Sequence, residues 1–473
     1  MIKLKEKINS FLHSNYLFVV AAVFVFAGWF FKILELSYIP IILLGCLTFL
    51  CCTDVKPFAF LVAIAGCCYY RGLFDKFRVD LPYFTIFFLI IGPFCLLLIG
   101  CYIYYLVKNF IKPKKKLKAG SLAVAMLLGG IACLFGGLFT EEYTFIHVLA
   151  AVAIIFVCYL IYFILINGTG DDLKNYLYKI LVTICILAMV ETVIFYLPID
   201  VEFMARIFNK SMNIGWAMTN SIATIYSITL PIILYHSLKA KNPWPDFVLF
   251  FFICLFLAFT LSRTSLLFAG ILMPIVLVYA FIKTQNKKKT LIALGVSLCV
   301  IILLCIFFGG QFWQVIEVLS NRGSNLSGRA EIWEYCIKEF KKMPAFGLSF
   351  FGEDMSGFWY PNRVIHNTFL QILCCTGVVG FILFIPYFYK RYVLLIKNFS
   401  LFKVFALFSV FLWELGGIFD LNFIRVFQLI IIFIIMAACE NETQGENYKI
   451  NFPKRTKDED VTLLDKLNNK QEQ

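Results

Sequence analysis

Two arginines, a histidine and two acids hold the chemistry that this sequence offers. Arg263 stands in Leu261-Ser262-Arg263-Thr264-Ser265, between two apolar runs with almost no connection between them. A guanidinium there is either a snorkelling anchor or part of an outward-facing anion site. Arg329 stands in Leu326-Ser327-Gly328-Arg329-Ala330, where Ser327 fits as a helix N-cap. A helix start presents free N–H groups and partial positive charge, and a guanidinium added to it makes a bidentate phosphate clamp. The bland alternative is a solvated surface arginine. Arg322, seven residues earlier, is a weaker substitute for the same role. His366 stands in Val364-Ile365-His366-Asn367-Thr368 and is one of only four histidines. Its pKa range suits a general base near neutral pH, whereas a lone histidine is ordinarily a cap or an interfacial side chain. Asn367 beside it is a supporting candidate. So is Asp420 in Phe419-Asp420-Leu421-Asn422, although Arg425 five residues on makes a local ion pair the competing reading. Glu191 lies inside an apolar run, and its partner is not legible in the sequence.

Other signals carry less. Asn167-Gly-Thr, Asn209-Lys-Ser, Asn325-Leu-Ser, Asn398-Phe-Ser and Asn441-Glu-Thr match the glycosylation pattern, but so short a motif recurs by chance. There is no P-loop, no hydrolase-like carboxylate pair and no Asp-rich loop for a metal–nucleotide sugar. Neither a metal nor a cofactor is expected. The 17 cysteines include the adjacent pairs Cys51–Cys52, Cys67–Cys68 and Cys374–Cys375 within apolar runs, and they read as small buried hydrophobes rather than as a disulfide or zinc framework.

The chain that must position these groups has 473 residues, of which 61% are hydrophobic and 15% charged, with a mean hydropathy of +0.85. Soluble domains run at about 45–50% apolar and about 25% charged, so an ordinary cytosolic enzyme is excluded. With 54 Phe and 23 Tyr, disorder is excluded too. The apolar runs are long and continuous, which argues against a transmembrane barrel. The expected fold is an all-α polytopic membrane protein of about 12–14 transmembrane helices with one large extracytoplasmic loop. Helices 1–11 are expected in residues 1–308, the loop in 309–365, helices 12–14 in 366–439 and a polar cytoplasmic tail in 440–473. The last three windows are His366–Tyr389, Leu401–Phe419 and Phe423–Cys439.

Charge gives the orientation. Lys112–Lys118 holds five lysines, Lys287–Lys289 holds three, and Lys390, Arg391 and Lys397 follow the twelfth window. An even number of windows separates each pair of clusters, so all three fall on the cytoplasmic side together with both termini. Arg71–Asp80 carries three basic residues on the opposite side, against the trend. The net charge of +13 then reflects this cytoplasmic excess, and no nucleic-acid partner is expected. Arg263 and the long loop come out at the outer face. Within that loop Ile332, Trp333, Cys336, Ile337 and Phe340 recur at helical spacing before Pro344, which predicts an amphipathic helix.

Read in order, Gly215-Trp216, Thr219-Asn220-Ser221, Ser262-Arg263-Thr264, Ser327-Gly328-Arg329-Ala330-Glu331-Ile332-Trp333, Lys342-Met343-Pro344-Ala345-Phe346-Gly347, His366-Asn367-Thr368-Phe369-Leu370-Gln371 and Thr376-Gly377-Val378-Val379-Gly380 resemble the O-antigen ligase and O-antigen polymerase family of bacterial inner-membrane proteins. The resemblance covers roughly residues 210–430. It implies a metal-independent, inverting glycosyltransferase that moves a glycan from an undecaprenyl-pyrophosphate carrier to a glycan or lipid-glycan acceptor at the outer face of the membrane. Carried over residue by residue, it implies that Arg263 and Arg329 hold the pyrophosphate and that His366 activates the acceptor hydroxyl. Asp420 matches an acidic position before the last span. A transporter of lipid-linked glycan or of a small anion is the alternative, but it should place its charges near the bilayer midplane on broken helices. A sensor with a receptor loop gives no reason for two arginines and a histidine to occur together.

Overall fold

Lipid offers a backbone no hydrogen bonds, so a chain this apolar has to satisfy its N–H and C=O groups within helices. The computed structural model describes residues 2–68, 81–140, 143, 145–170, 172–197, 213–284, 286–307, 309–310, 313, 317, 329–349, 358–360, 363–420, 422 and 425–442. Over these residues the protein is an all-α polytopic membrane fold. In chain order the helices are α1 (Ile2–Leu12), α2 (Asn15–Phe31), α3 (Leu34–Cys51), α4 (Lys56–Ala65), α5 (Leu81–Leu106, continued by a π-helical turn at Val107–Ile111), α6 (Ala123–Phe135), α7 (Phe145–Gly168) and α8 (Leu173–Tyr196). They continue with α9 (Thr219–Lys239), α10 (Trp244–Phe259), α11 (Arg263–Lys283), α12 (Lys287–Phe307), α13 (Arg329–Phe340), α14 (Thr368–Ile396), α15 (Leu401–Gly417) and α16 (Val426–Asn441). A short antiparallel hairpin, β1 (Phe358–Tyr360) with β2 (Arg363–Val364), leads into α14.

Among the described residues six helical stretches are long and apolar enough to cross a membrane: α3, Leu89–Ile111, α8, α9, α11 and α14. The pair α1–α2, bent by 71°, makes a seventh if it counts as one broken span. Five shorter apolar helical stretches, together with α12 and α15, pack among them. α9 is the central helix, with 89% of its apolar window buried, packed among α8, α10, α11 and α15. In contrast, α11 exposes Leu267, Ile271, Ile275, Val278 and Ile282, a stripe at helical spacing that suits lipid.

α14 departs from the sequence expectation of one straight span at His366–Tyr389. Phe369 and Phe388 lie nineteen residues apart in the chain, about 28 Å along a straight helix, yet their ring centroids are 5.3 Å apart. The chain therefore doubles back. The turn is at Gly377, whose φ of 71° and ψ of −177° are non-helical. A short first leg (368–376) runs against a longer second leg (378–396). The tip of this helical hairpin is clamped by backbone bonds to the end of the large loop. Leu348 and Ser349 N–H donate to the Cys374 and Cys375 carbonyls at 2.9 Å, and Val378 and Val379 N–H donate to Pro344 and Ala345 at 2.9 and 3.1 Å. A Cβ on Gly377 would sit 2.1 Å from the Ala345 oxygen, and one on Gly347 (φ +72°) would sit 2.5 Å from the Cys374 oxygen. Glycine is required at both places by close backbone approach and by φ. Gly137 N–H also reaches the Phe346 carbonyl, at 2.8 Å. Two of the motifs in the sequence resemblance, Pro344–Gly347 and Thr376–Gly380, are thus the two halves of one joint.

Candidate active site

At the foot of the hairpin, one first-leg length from its tip or about 13 Å, several polar side chains meet. Asp420, in the turn between α15 and α16, is buried. His366 Nδ1 lies 3.3 Å from Asp420 Oδ1. Arg425 Nη2 donates to the same oxygen at 3.0 Å, while its Nη1 donates to Ser221 Oγ near the start of α9. Thr368 Oγ1 donates to the Asp420 carbonyl and accepts from the Asn422 N–H, both at 3.0 Å. Asn422 in turn donates through its side chain to the Trp413 carbonyl. The turn is therefore fixed from α9, α14 and α15 at once.

His366 itself has φ 51°, a left-handed conformation that non-glycine residues seldom adopt. It is held there from both sides. Asn367 is the N-cap of α14, its side-chain oxygen accepting from Leu370 N–H at 2.9 Å. On the other side Trp333 Nε1 donates to the Ile365 carbonyl at 2.7 Å. Asn367 thus acts on the backbone beside the histidine.

The loop helix α13 packs on this foot through Ile332 and Cys336, against Ile365 and Cys374. Ile337, which the helical spacing assigned to the apolar face, is 41% exposed instead. Arg329 opens α13 and is half-buried. Burial pulls its pKa down from the usual arginine value, the nearby Asp420 carboxylate opposes that, and the neighbouring Arg263 guanidinium adds to it. Arg329 remains charged nonetheless. Arg263 is the first residue of α11, just after Leu261, which is also left-handed at φ 48°. The rings of Phe268 of α11 and Trp333 of α13 both face that of Phe419, with centroids 6.4 and 6.3 Å from it, which sets both arginine-bearing helices beside the Asp420 turn. His366 and Arg425 on Asp420, with Arg329 in electrostatic reach of both Asp420 and Arg263, make a cluster in which guanidiniums outnumber carboxylates, a charge balance that suits a polyanion.

Residues 247–385 match the O-antigen ligase family. They form an O-antigen ligase family domain. The matched stretch runs from α10 into the second leg of α14 and contains Arg263, Arg329 and His366; Ser221, Asp420 and Arg425 lie outside it. No curated protein matches the chain. The family match supports a membrane glycosyltransferase-like role.

Of the residues singled out in the sequence, Arg263, Arg329, His366 and Asp420 come together here. Arg322 and the cap Ser327 lie outside the described residues, as does the tail beyond residue 442. Glu191 stands apart, accepting a hydrogen bond from Trp216 Nε1 at 2.5 Å. Sequence reasoning missed the Arg425–Ser221 bond. The signal was present as Thr219-Asn220-Ser221, but nothing in one chain pairs positions two hundred residues apart.

Proposed function

We propose that this O-antigen ligase family protein transfers a glycan from an undecaprenyl-pyrophosphate carrier to an acceptor hydroxyl at the outer face of the cytoplasmic membrane. The observation that carries the reading is the shared environment of Arg263, Arg329, Asp420 and His366. The donor's leaving group is a lipid pyrophosphate. Arg263 and Arg329 hold it and stabilise the charge that develops as the anomeric C–O bond breaks. His366 gives one nitrogen, Nδ1, to Asp420, which leaves Nε2 as the base. The acceptor oxygen forms the new bond to the anomeric carbon, its proton passes to Nε2, and Asp420 stabilises the resulting imidazolium. Attack opposite the departing pyrophosphate inverts the anomeric centre. The guanidiniums supply the positive charge that a metal would otherwise provide. In this reading residues 1–308 and 366–439 build the membrane body, residues 309–365 form the outer loop that completes the site, and residues 440–473 are a cytoplasmic tail.

The test is reconstitution of the purified protein in vesicles with a polyprenyl-pyrophosphate-linked glycan and candidate acceptors. Release of free polyprenyl pyrophosphate together with a glycosylated acceptor of opposite anomeric configuration is expected. Product on a lipid–core acceptor identifies a ligase, and lengthened carrier-linked glycan a polymerase. Movement of intact donor across the bilayer without bond cleavage would overturn the proposal.

A further inference from the structure

The end of the bundle remote from His366 carries a charged cavity. α16 connects the two ends: it starts beside Arg425 and ends at Asn441, and its 16 residues span about 24 Å. Near that far end α5 runs out through its π-helical turn, and the chain reverses at Lys114, which is left-handed at φ 55°. Lys115 N–H bonds back to the Phe110 carbonyl at 2.9 Å. The lysine segment is then pinned to the end of α7. Asn167 accepts from Lys118 N–H at 2.8 Å and donates to the Lys118 carbonyl at 2.9 Å. Beside this clamp is a cavity of about 260 Å³ lined by Lys115, Lys116 and Lys118, with Asn167 and Asn441 as neutral polar walls and Phe110 as an apolar one. The one acid on its wall, Glu440, is engaged by the Ser121 and Tyr162 hydroxyls at 2.9 and 3.0 Å. Among the described residues, none of the five lysines from Lys112 to Lys118 forms an ion pair. A polybasic loop that only marks topology needs neither a cavity nor a clamp on its backbone; this one has both.

We propose that this lysine pocket binds the phosphate headgroup of an anionic phospholipid, in the leaflet opposite the arginine–histidine site. The ammonium groups take the phosphate oxygens, and the apolar wall at Phe110 leaves the acyl chains in the lipid. The proposal does not depend on the glycan-transfer reading.

The experiment is native mass spectrometry of the full-length protein in neutral detergent, titrated with phosphatidylglycerol, phosphatidylcholine or inorganic phosphate. Phosphatidylglycerol should bind in preference to the other two. Each lysine near an anionic lipid surface is worth about a fivefold factor. K116Q/K118Q should therefore weaken binding by about thirtyfold, and K112Q/K114Q, which removes the same charge outside the cavity, should weaken it far less. Asn167→Ala keeps every charge and should still lower affinity several-fold. Equal binding of phosphatidylcholine, equal binding of inorganic phosphate, equal losses in the two double variants or native affinity in Asn167→Ala would each overturn the pocket. A thermal melt of each variant without lipid separates loss of binding from loss of fold.

Discussion

At Asp420 one carboxylate oxygen serves two partners, His366 and Arg425. Arg425 is tethered to Ser221 as well, so it fixes where that oxygen points. His366→Ala should lower transfer by about 10²–10⁴-fold, the usual cost of a lost general base, while the protein still inserts. Near-normal glycan transfer in that variant, measured on reconstituted protein, would reduce His366 to a bystander. Asp420→Asn preserves shape but removes the charge that steadies an imidazolium, so turnover should fall with little change in apparent donor affinity. Arg263→Lys and Arg329→Lys keep the charge and lose the planar fork. Each should cut turnover by about 10²-fold if the guanidinium acts on the leaving group, and EDTA should leave the native rate unchanged. Wild-type rates in both lysine variants would assign the pyrophosphate to other groups.

The elements place these side chains by means that hydropathy reads unevenly. Apolar windows locate helices because lipid forces the backbone to bond within the segment, and the windows Leu401–Phe419 and Phe423–Cys439 meet α15 and α16 for that reason. Hydropathy carries no direction, however. The run from Thr368 to Ile396 is equally apolar whether it continues or reverses at Gly377, so the hairpin was hidden. The motifs Pro344–Gly347 and Thr376–Gly380 were visible as residues but not as a contact, since both meet through their backbones. The loop helix was legible from its period, and only Ile337 was assigned to the wrong face. The joint makes its own prediction. Gly377→Ala and Gly347→Ala place a methyl group against backbone at 2.1 and 2.5 Å and force an L residue to positive φ. The φ penalty alone is about 1–2 kcal/mol. Both variants should show a lowered melting temperature and reduced yield, and normal melting in both would contradict the docked geometry. Trp333→Phe removes the 2.7 Å bond to Ile365 and keeps an aromatic ring facing Phe419. It should melt within a few degrees of the native protein yet transfer more slowly, because that bond holds the backbone next to His366.

Seen as a whole, the molecule has two unlike ends. Ser121, Glu440 and the lysine segment lie at one, and Gly137, the hairpin tip and the Asp420 cluster at the other. With the lysine end cytoplasmic, a membrane-impermeant thiol reagent applied to intact cells should label Thr140→Cys above the native background and should label Lys116→Cys only after permeabilisation. The reverse pattern would invert the assigned orientation. The packing of α13 also bears on fidelity. Water is the commonest hydroxyl in any cell envelope, and a base beside an activated sugar will hydrolyse it unless the nucleophile is selected. In the proposed reading His366 is that base, and α13, packed through Ile332 on Ile365 beside it and bonded to the Ile365 carbonyl through Trp333, takes the place of solvent on that side.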